Sequence, residues 1–295
     1  AVYALIAQLE RRHGVHFAMG GTGSLVKGLA SLIESQGGTI RCSSPVKCIR
    51  VEGNRATGVE LDSGDTLDAD IVVSNADSAA TYRYLLPEAS SRRWTRKKLD
   101  RARYSMSLFV WYFGTNRRYD DVPHHMILLG PRYRELLSDI FDSKVLAEDF
   151  SLYLHRPTAT DASLAPAGCD TFYVLSPVPN LDGNTDWETA AEAYRARIAA
   201  ALEETVLPGL SQHIATSRLL TPIDFRDRLF SFKGAAFGLQ PILTQTAWFR
   251  PHNRSEDIDG LYLVGAGTHP GAGMPGVISS AKVLDDVVPD PWSAA

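Results

Sequence analysis

One stretch near the C-terminal end limits this chain more than any other. Residues 260–277 read GLYLVGAGTHPGAGMPGV. A short apolar run, Leu261-Tyr262-Leu263-Val264, has the length of a buried strand. Gly265, Gly267, Gly271, Gly273 and Gly276 then crowd into one turn, and Pro275 sits where a first helical turn favours proline. VISSAKVLDDVV (277–288) continues as the helix. Strand, glycine-rich turn and helix in that order aim the helix's unbonded amides and positive dipole end at whatever lies beyond the turn.

Gly271-Ala272-Gly273-Met274-Pro275-Gly276 is a literal Gly-x-Gly-x-x-Gly. A dinucleotide fingerprint needs a βαβ unit of about 30 residues, with a ribose-binding acid about 20 residues on. Only one helix follows here, without a second strand or such an acid, so the motif is not expected to seat a pyrophosphate. Two readings remain. Glycines without Cβ atoms let the backbone lie flat against a planar ligand, and a helix start suits an electron-rich one. The pyrimidine edge of a flavin has that character. The alternative is a strand-to-helix turn whose glycines serve packing alone.

The rest of the chain reads as mixed α/β. Residues 1–13 predict the end of a helix, with Leu5, Ile6 and Leu9 as its stripe and Gly14 as its stop. Residues 20–38 predict a helix striped by Leu25, Leu29, Leu32 and Ile33, capped by Thr22 or Ser24 and closed by Gly37-Gly38. A meander follows: strands at 46–51 and 57–61 and a third, more buried run in 68–77. SLFVWYFG and TFYVL, within predicted strands 105–114 and 170–178, carry aromatics that either fill a core or line a tunnel. Residues 131–146 predict an amphipathic helix with Tyr133, Leu136, Leu137, Ile140, Phe141 and Val145 on one face. A capping box, Thr185-x-x-Glu188, opens a helix to about Val206, striped by Trp187, Ala191, Tyr194, Ile198 and Leu202.

Bulk properties narrow the function. The chain has 295 residues, 44% hydrophobic and 22% charged, with net charge −4, which disfavours nucleic acid as a partner. Cys42, Cys48 and Cys169 form no C-x-x-C pair, and a reduced, cytoplasmic setting is expected. No run approaches the ~18 apolar residues of a spanning helix, and no Gly-x-Ser-x-Gly elbow is present. His124-His125 and His13-x-x-His16 have no thiol or carboxylate beside them, so no metal site is expected. Arg92, Arg93, Arg96, Lys97, Lys98, Arg101 and Arg103 surround Trp94; this run reads either as a dock for an anionic membrane, with Trp94 at the interface, or as a solvated helix face.

LYLVGAGTHPGAGMPGV closely resembles the C-terminal signature of the bacterial-type phytoene desaturase family of FAD-dependent carotenoid desaturases. GVHFAMGGTGSLVKGLASLIESQGG and GVELDSGDTLDADIVVSNAD resemble that family's middle section. GPRYRELL, LAEDFSLYLH, DASLAPAGC, TPIDFRD and LTQTAWFRPHNRS continue the resemblance in order. Met274 departs from it, standing where the family is expected to carry a branched aliphatic residue. The family also opens with a dinucleotide fingerprint for the ADP half of FAD, which is not found here. With Ala1 in first place, the sequence is expected to be the C-terminal three-fifths of such an enzyme.

The resemblance implies a partial FAD-binding domain of the amine-oxidase and glutathione-reductase type with an inserted substrate domain. Residues 14–82 and 256–295 would form the FAD-binding part, 83–255 the substrate and membrane-associated part, and 1–13 the end of a substrate-domain helix. Gly265, Ala266, Gly267 and Thr268 would approach the flavin, Gly273, Met274, Pro275 and Val277 would line its pyrimidine side, and Val46 would lie near the adenine. The implied activity is desaturation of phytoene, a long linear carotenoid, towards neurosporene or lycopene by hydride transfer to the flavin. A carotenoid isomerase or oxygenase of the same superfamily, or a lipid-binding module without catalysis, are the alternatives. His269 lies inside the flavin motif as a possible ring or substrate contact, and no catalytic acid or base is assigned. A phytoene-like substrate, an anionic membrane surface and a peripheral position on the cytoplasmic side are the expected partners and place; oligomeric state is left open.

Overall fold

The computed structural model describes residue 8 and residues 10–290. Leu5, Ile6 and Leu9, the stripe expected of the first helix, lie outside the described residues.

Helix α1, Thr22–Ser35, begins at Gly21 with no side-chain cap, so neither Thr22 nor Ser24 plays the expected role. Its end follows the glycine pattern: Gly37, with φ 84°, turns the chain, and the Gly38 amide donates to the Ile33 carbonyl at 2.9 Å. A meander follows, β1 (Val46–Glu52), β2 (Arg55–Leu61) and β3 (Thr66–Asp68), paired in that order. The expected strand in 68–77 is reduced to β4, Val72–Ser74. It has left the meander and pairs in parallel with β10 (Leu261–Leu263), nearly two hundred positions later.

After β4, Asp77 caps the short helix α2, Ser78–Ala80, by accepting from the Ala79 and Ala80 amides. The basic run folds into α3, Arg96–Arg101, capped by Thr95. A five-stranded antiparallel sheet is then assembled in the order β6-β7-β8-β5-β9. Its strands are β5 (Ser107–Thr115), β6 (His125–Leu128), β7 (Leu152–His155), β8 (Asp170–Val178) and β9 (Ile214–Leu220). Between β6 and β7, the helix expected over 131–146 shortens to α4, Tyr133–Ser138, and widens into a π turn over Asp139–Ser143. Only Leu136 and Ile140 of the predicted face are fully buried.

Helix α5, Trp187–Thr205, covers one face of that sheet. Asp186, rather than Thr185, is its cap, accepting from the Glu188 amide. Trp187, Tyr194, Ile198 and Leu202 are all buried against Phe109, Trp111, Phe113 and Phe172. Each such side chain contributes about 1.5–3 kcal/mol by leaving water. Strand alternation therefore settles those four sheet aromatics as core, not tunnel lining. The opposite face carries Leu108, Val110, Tyr173, Leu175 and Leu220, partly covered by α7 (Pro222–Leu229, after α6, Leu210–His213) and by Phe237. Tyr112, on the same strand as the core aromatics but of opposite parity, is exposed. The chain returns through β10 to α8, Met274–Lys282, and ends its described structure after α9, Leu284–Val287.

Candidate functional site

The C-terminal glycines prove to have separate reasons. A Cβ on Gly265 would collide with Asn75 Oδ1, and one on Gly267 would collide with Ser78 Oγ. These two are small because β10 and its turn press against the start of α2, so protein already fills the space. On Gly276 a Cβ would lie 2.6 Å from the Gly271 carbonyl oxygen, which holds the turn closed over the helix start. Gly273 differs: it has φ 95°, and nothing lies within 4 Å of where its Cβ would stand. It is the N-terminal boundary of α8, where no side chain caps the first-turn amides. Pro275 occupies the first turn as expected, and Met274 is 57% exposed. Residues 272–275 are exposed at the helix start, and a Cβ on Gly273 would meet nothing there.

Several polar residues outside the motif hold this turn. Ser280 Oγ accepts from the Gly265 amide at 2.7 Å and donates to the Val277 carbonyl at 2.5 Å. The Asn253 amide donates to the carbonyls of Leu263 and His269 at 3.2 and 3.0 Å. Thr268 is fully buried and its hydroxyl donates to the Pro251 carbonyl at 2.7 Å, so it points away from the opening. Arg250 is buried beneath the turn; it donates to the Ala266 carbonyl at 2.7 Å, and its Nε is buried without a partner. Burial pushes the Arg250 guanidinium below its ordinary value, against the nearby Asp77 charge. Burial likewise pushes the Asp77 carboxyl up, opposed by the Ala80, Ala79 and Phe232 amides and by Arg250. His269 has its side chain exposed, while its carbonyl serves the scaffold. Val46 begins β1, opposite Leu61, away from this turn in the sheet order.

Arg250, Asn253, Ser280 and Asp77 escaped single-residue reading. Their signal is weak in sequence: Arg250 and Asn253 serve carbonyls 10–16 residues on, Ser280 links the Gly265 amide to the Val277 carbonyl, and Asp77 accepts from the Ala79 and Ala80 amides.

A second polar group lies on the five-stranded sheet. Register pairs His125 with His155, His155 with Tyr173, and Tyr173 with Tyr112. His124, just before β6, packs tilted against His125 and edge-on against His155, with ring centroids 4.3 and 4.7 Å away. The pair that looked solitary along the chain therefore gains a third imidazole by strand pairing. Burial pushes His155 down to about 4, helped by His124 and His125, and burial also lowers His124.

Three of the seven basic side chains of the run are paired with carboxylates. Arg93 pairs with Glu256 at 3.2 Å, Arg96 with Glu88 at 3.3 Å and Arg103 with Asp142 at 3.7 Å. Trp94 is 3% exposed and donates to Glu256 at 3.1 Å, with Lys98 Nζ 3.6 Å above its ring. It is a core residue and not the interfacial tryptophan expected. Lys97, Lys98 and Arg101 instead line a 560 Å³ groove with Thr244, Gln245 and Phe249. The exposed Leu243 and Trp248 adjoin it.

A parallel strand pair leading through a glycine turn into a helix, beside an antiparallel sheet, is a mixed α/β arrangement consistent with a flavin-binding oxidoreductase fold. The chain belongs to the flavin containing amine oxidoreductase family, whose sequence model matches residues 1–283. It is 50% identical to a neurosporene-forming phytoene desaturase of Rhodobacter capsulatus, over 98% of this chain and 56% of that protein. It is 49% identical to a lycopene-forming phytoene desaturase of Pantoea ananas, over 98% of this chain and 60% of that protein. The chain thus spans somewhat over half the length of these relatives. Among solved structures it is similar to an oxidoreductase from Methanosarcina mazei, with a TM-score of 0.61 and 21% identity over 90% of this chain and 55% of the other. That likeness supports the fold alone.

The residues present suit a flavin. No side chain caps the exposed start of α8, whose Met274 and Gly276 positions carry amides, and Arg250 donates to the Ala266 carbonyl of the same turn. Both favour an electron-rich group.

Proposed function

We propose that this chain provides the flavin-edge and substrate-facing parts of an FAD-dependent desaturase acting on phytoene or a related linear carotenoid, towards neurosporene or lycopene. The open, amide-lined start of α8 carries this reading. When bound, FAD supplies the acceptor for the electrons removed as a CH–CH unit becomes a double bond. The chain's own residues bind and orient. Gly273, Met274, Pro275 and Val277 border the pyrimidine side, and the α8 dipole stabilises negative charge there. Gly265, Ala266, Gly267 and Thr268 shape the turn from behind, held by Arg250 and Ser280. A contact between Val46 and the adenine completes the cofactor assignment.

The chain divides accordingly, 14–82 with 256–295 serving the cofactor and 83–255 the substrate. Support comes from the pairing of β10 with β4 and from the separate five-stranded sheet. Ile127, Tyr153, Leu175, Val110 and Leu220 form one cross-strand row on the sheet's less covered face. Such a row binds a hydrocarbon chain by area alone and excludes water from it.

The test is complementation. The chain is co-expressed with the N-terminal part of the Rhodobacter capsulatus relative, and the purified assembly is examined for flavin absorbance and for coloured product from phytoene. Both should appear, and Gly273→Val should remove the flavin absorbance. An assembly that forms but holds no flavin sinks the proposal.

We also propose that the chain docks peripherally on an anionic membrane, on the cytoplasmic side. Support comes from Lys97 and Arg101 beside exposed Leu243, Trp248 and Phe249. Cations ringing a protruding Trp suit a headgroup layer. Lys97→Glu with Arg101→Glu should abolish sedimentation with phosphatidylserine vesicles; unchanged sedimentation refutes it.

A further inference from the structure

We propose that His124, His125 and His155 form a binding site for a late first-row divalent cation, with Zn2+ as the ion it would take. The inference does not rest on the desaturase reading, although Tyr153, whose hydroxyl borders the site, also belongs to the hydrocarbon row proposed above. It concerns the β6–β7 side of the five-stranded sheet, a different sheet from the β4–β10 pair that leads into α8.

Geometry carries it. One ring nitrogen from each histidine lies within 4.8 Å of the other two. His125 Nδ1 and His155 Nδ1 are 3.4 Å apart. Zinc–nitrogen bonds of about 2.0–2.1 Å on a tetrahedron place neighbouring donors about 3.4 Å apart. Two of the three are therefore already at ligand spacing, and the third offers a ring nitrogen within 4.8 Å of both.

The surroundings of His124 point the same way. Its Nδ1 shares a hydrogen bond with Thr160 Oγ1, and in the tautomer whose Nδ1–H donates there Nε2 is the lone-pair nitrogen. That Nε2 is buried and has no partner. A buried imidazole nitrogen left without a hydrogen bond is costly unless something electrophilic meets it. An outer hydrogen bond that fixes one nitrogen while the other is free is the arrangement ligating histidines use. Phe17 packs edge-on against His124 at 4.7 Å and shields one side. His125 is exposed, which supplies the way in. The Tyr153 hydroxyl lies 2.5 Å from His125 Nδ1 and 3.2 Å from His155 Nδ1, within reach of a water in the fourth position.

The donor set chooses the ion. Three imidazoles without a carboxylate or thiolate suit zinc and its neighbours and do not suit calcium or magnesium, which demand oxygen. A bound ion would clip edge strand β6 to β7 and to the Thr160 turn, joining segments that hydrogen bonds alone now connect.

The test uses the whole chain after chelator treatment. Zn2+ is titrated by calorimetry, and Co2+ is titrated as a coloured substitute. One equivalent should bind, with the intense visible bands of a four-coordinate cobalt site and a higher thermal unfolding midpoint. His125→Ala, at an exposed position that should not disturb folding, should weaken binding by more than the roughly 10–100-fold that loss of an outer partner costs. Thr160→Val should weaken it within that range. His13→Ala with His16→Ala should leave it unchanged. Absence of zinc binding by the wild-type chain overturns the proposal, as does binding that survives His125→Ala or disappears with the His13/His16 pair.

Discussion

Helices α1 and α5 are both amphipathic, and they meet opposite fates. In α5, Trp187, Tyr194, Ile198 and Leu202 are sealed against the five-stranded sheet. In α1, Val26, Leu29, Leu32 and Ile33 remain between 47% and 60% exposed. The same contrast divides the molecule. The five-stranded sheet buries a core beneath α5, whereas β4 and α8 leave Val73, Met274 and Ile278 uncovered. Helical spacing tells which side of a helix is apolar; it does not tell what covers that side. A cofactor-binding region must keep surface open, so the less finished part is where the ligand chemistry is expected.

The sharpest difference should appear on removing a charge from the closed part. Asp170 is buried with Arg156 at 2.9 Å, and its carboxylate also accepts from Thr158 Oγ1 at 2.6 Å and the Tyr119 amide at 2.7 Å. Asp170→Ala leaves Arg156 buried with only exposed Asp120 and the Val122 carbonyl, and should cost about 3–5 kcal/mol in urea unfolding. A loss under 1 kcal/mol, of the order of a surface pair, would show that the closed core does not depend on this network. Next, Ile198→Ala in α5 should cost about 2–5 kcal/mol. Its control, Leu29→Ala in α1, should cost no more than about 0.5 kcal/mol. Equal losses would erase the distinction between the two helices. Smaller than the Ile198 effect is Gly267→Ala, whose new methyl meets Ser78 Oγ and the Ser78 amide and should cost about 1–3 kcal/mol.

What the sequence revealed follows the same divide. Strands β1, β2, β5, β8 and β10 and helices α1, α5 and α8 were legible because each carries its own period or its own glycine stop. Strands β6, β7 and β9 are short or half exposed, and their alternation is too weak to stand out. The glycine turn was recognised, yet its glycines divided unexpectedly: Gly265 and Gly267 yield to Asn75 and Ser78, and only Gly273 opens on free space. Trp94 was misread because Glu256, which accepts its N–H, lies more than 160 residues away. Arg250 and the His124–His125–His155 group were missed for the same reason. Their meaning is made by pairing across the fold, which residue spacing does not encode.

The smallest effect expected to register tests a partly solvated tie within residues 83–255. Asp182, just after β8, accepts from Lys144 at 2.8 Å and pairs with Lys233 at 3.1 Å, drawing the end of the π turn and the segment before Gly238 together. Burial pushes the Asp182 carboxyl up, but hydrogen bonds from Lys144 and Lys233 overcome it and hold it below its ordinary value. The sign follows directly. A carboxylate whose folded value is depressed adds stability above its unfolded value, near pH 4, and loses it as pH falls through the folded value. The pair is partly solvated, so Asp182→Asn should cost less than about 1 kcal/mol at pH 7. The difference from wild type should shrink as the pH drops below about 4. Urea unfolding at pH 7 and pH 3 measures both. If the two proteins differ equally at both values, Asp182 holds these segments together by shape rather than by charge.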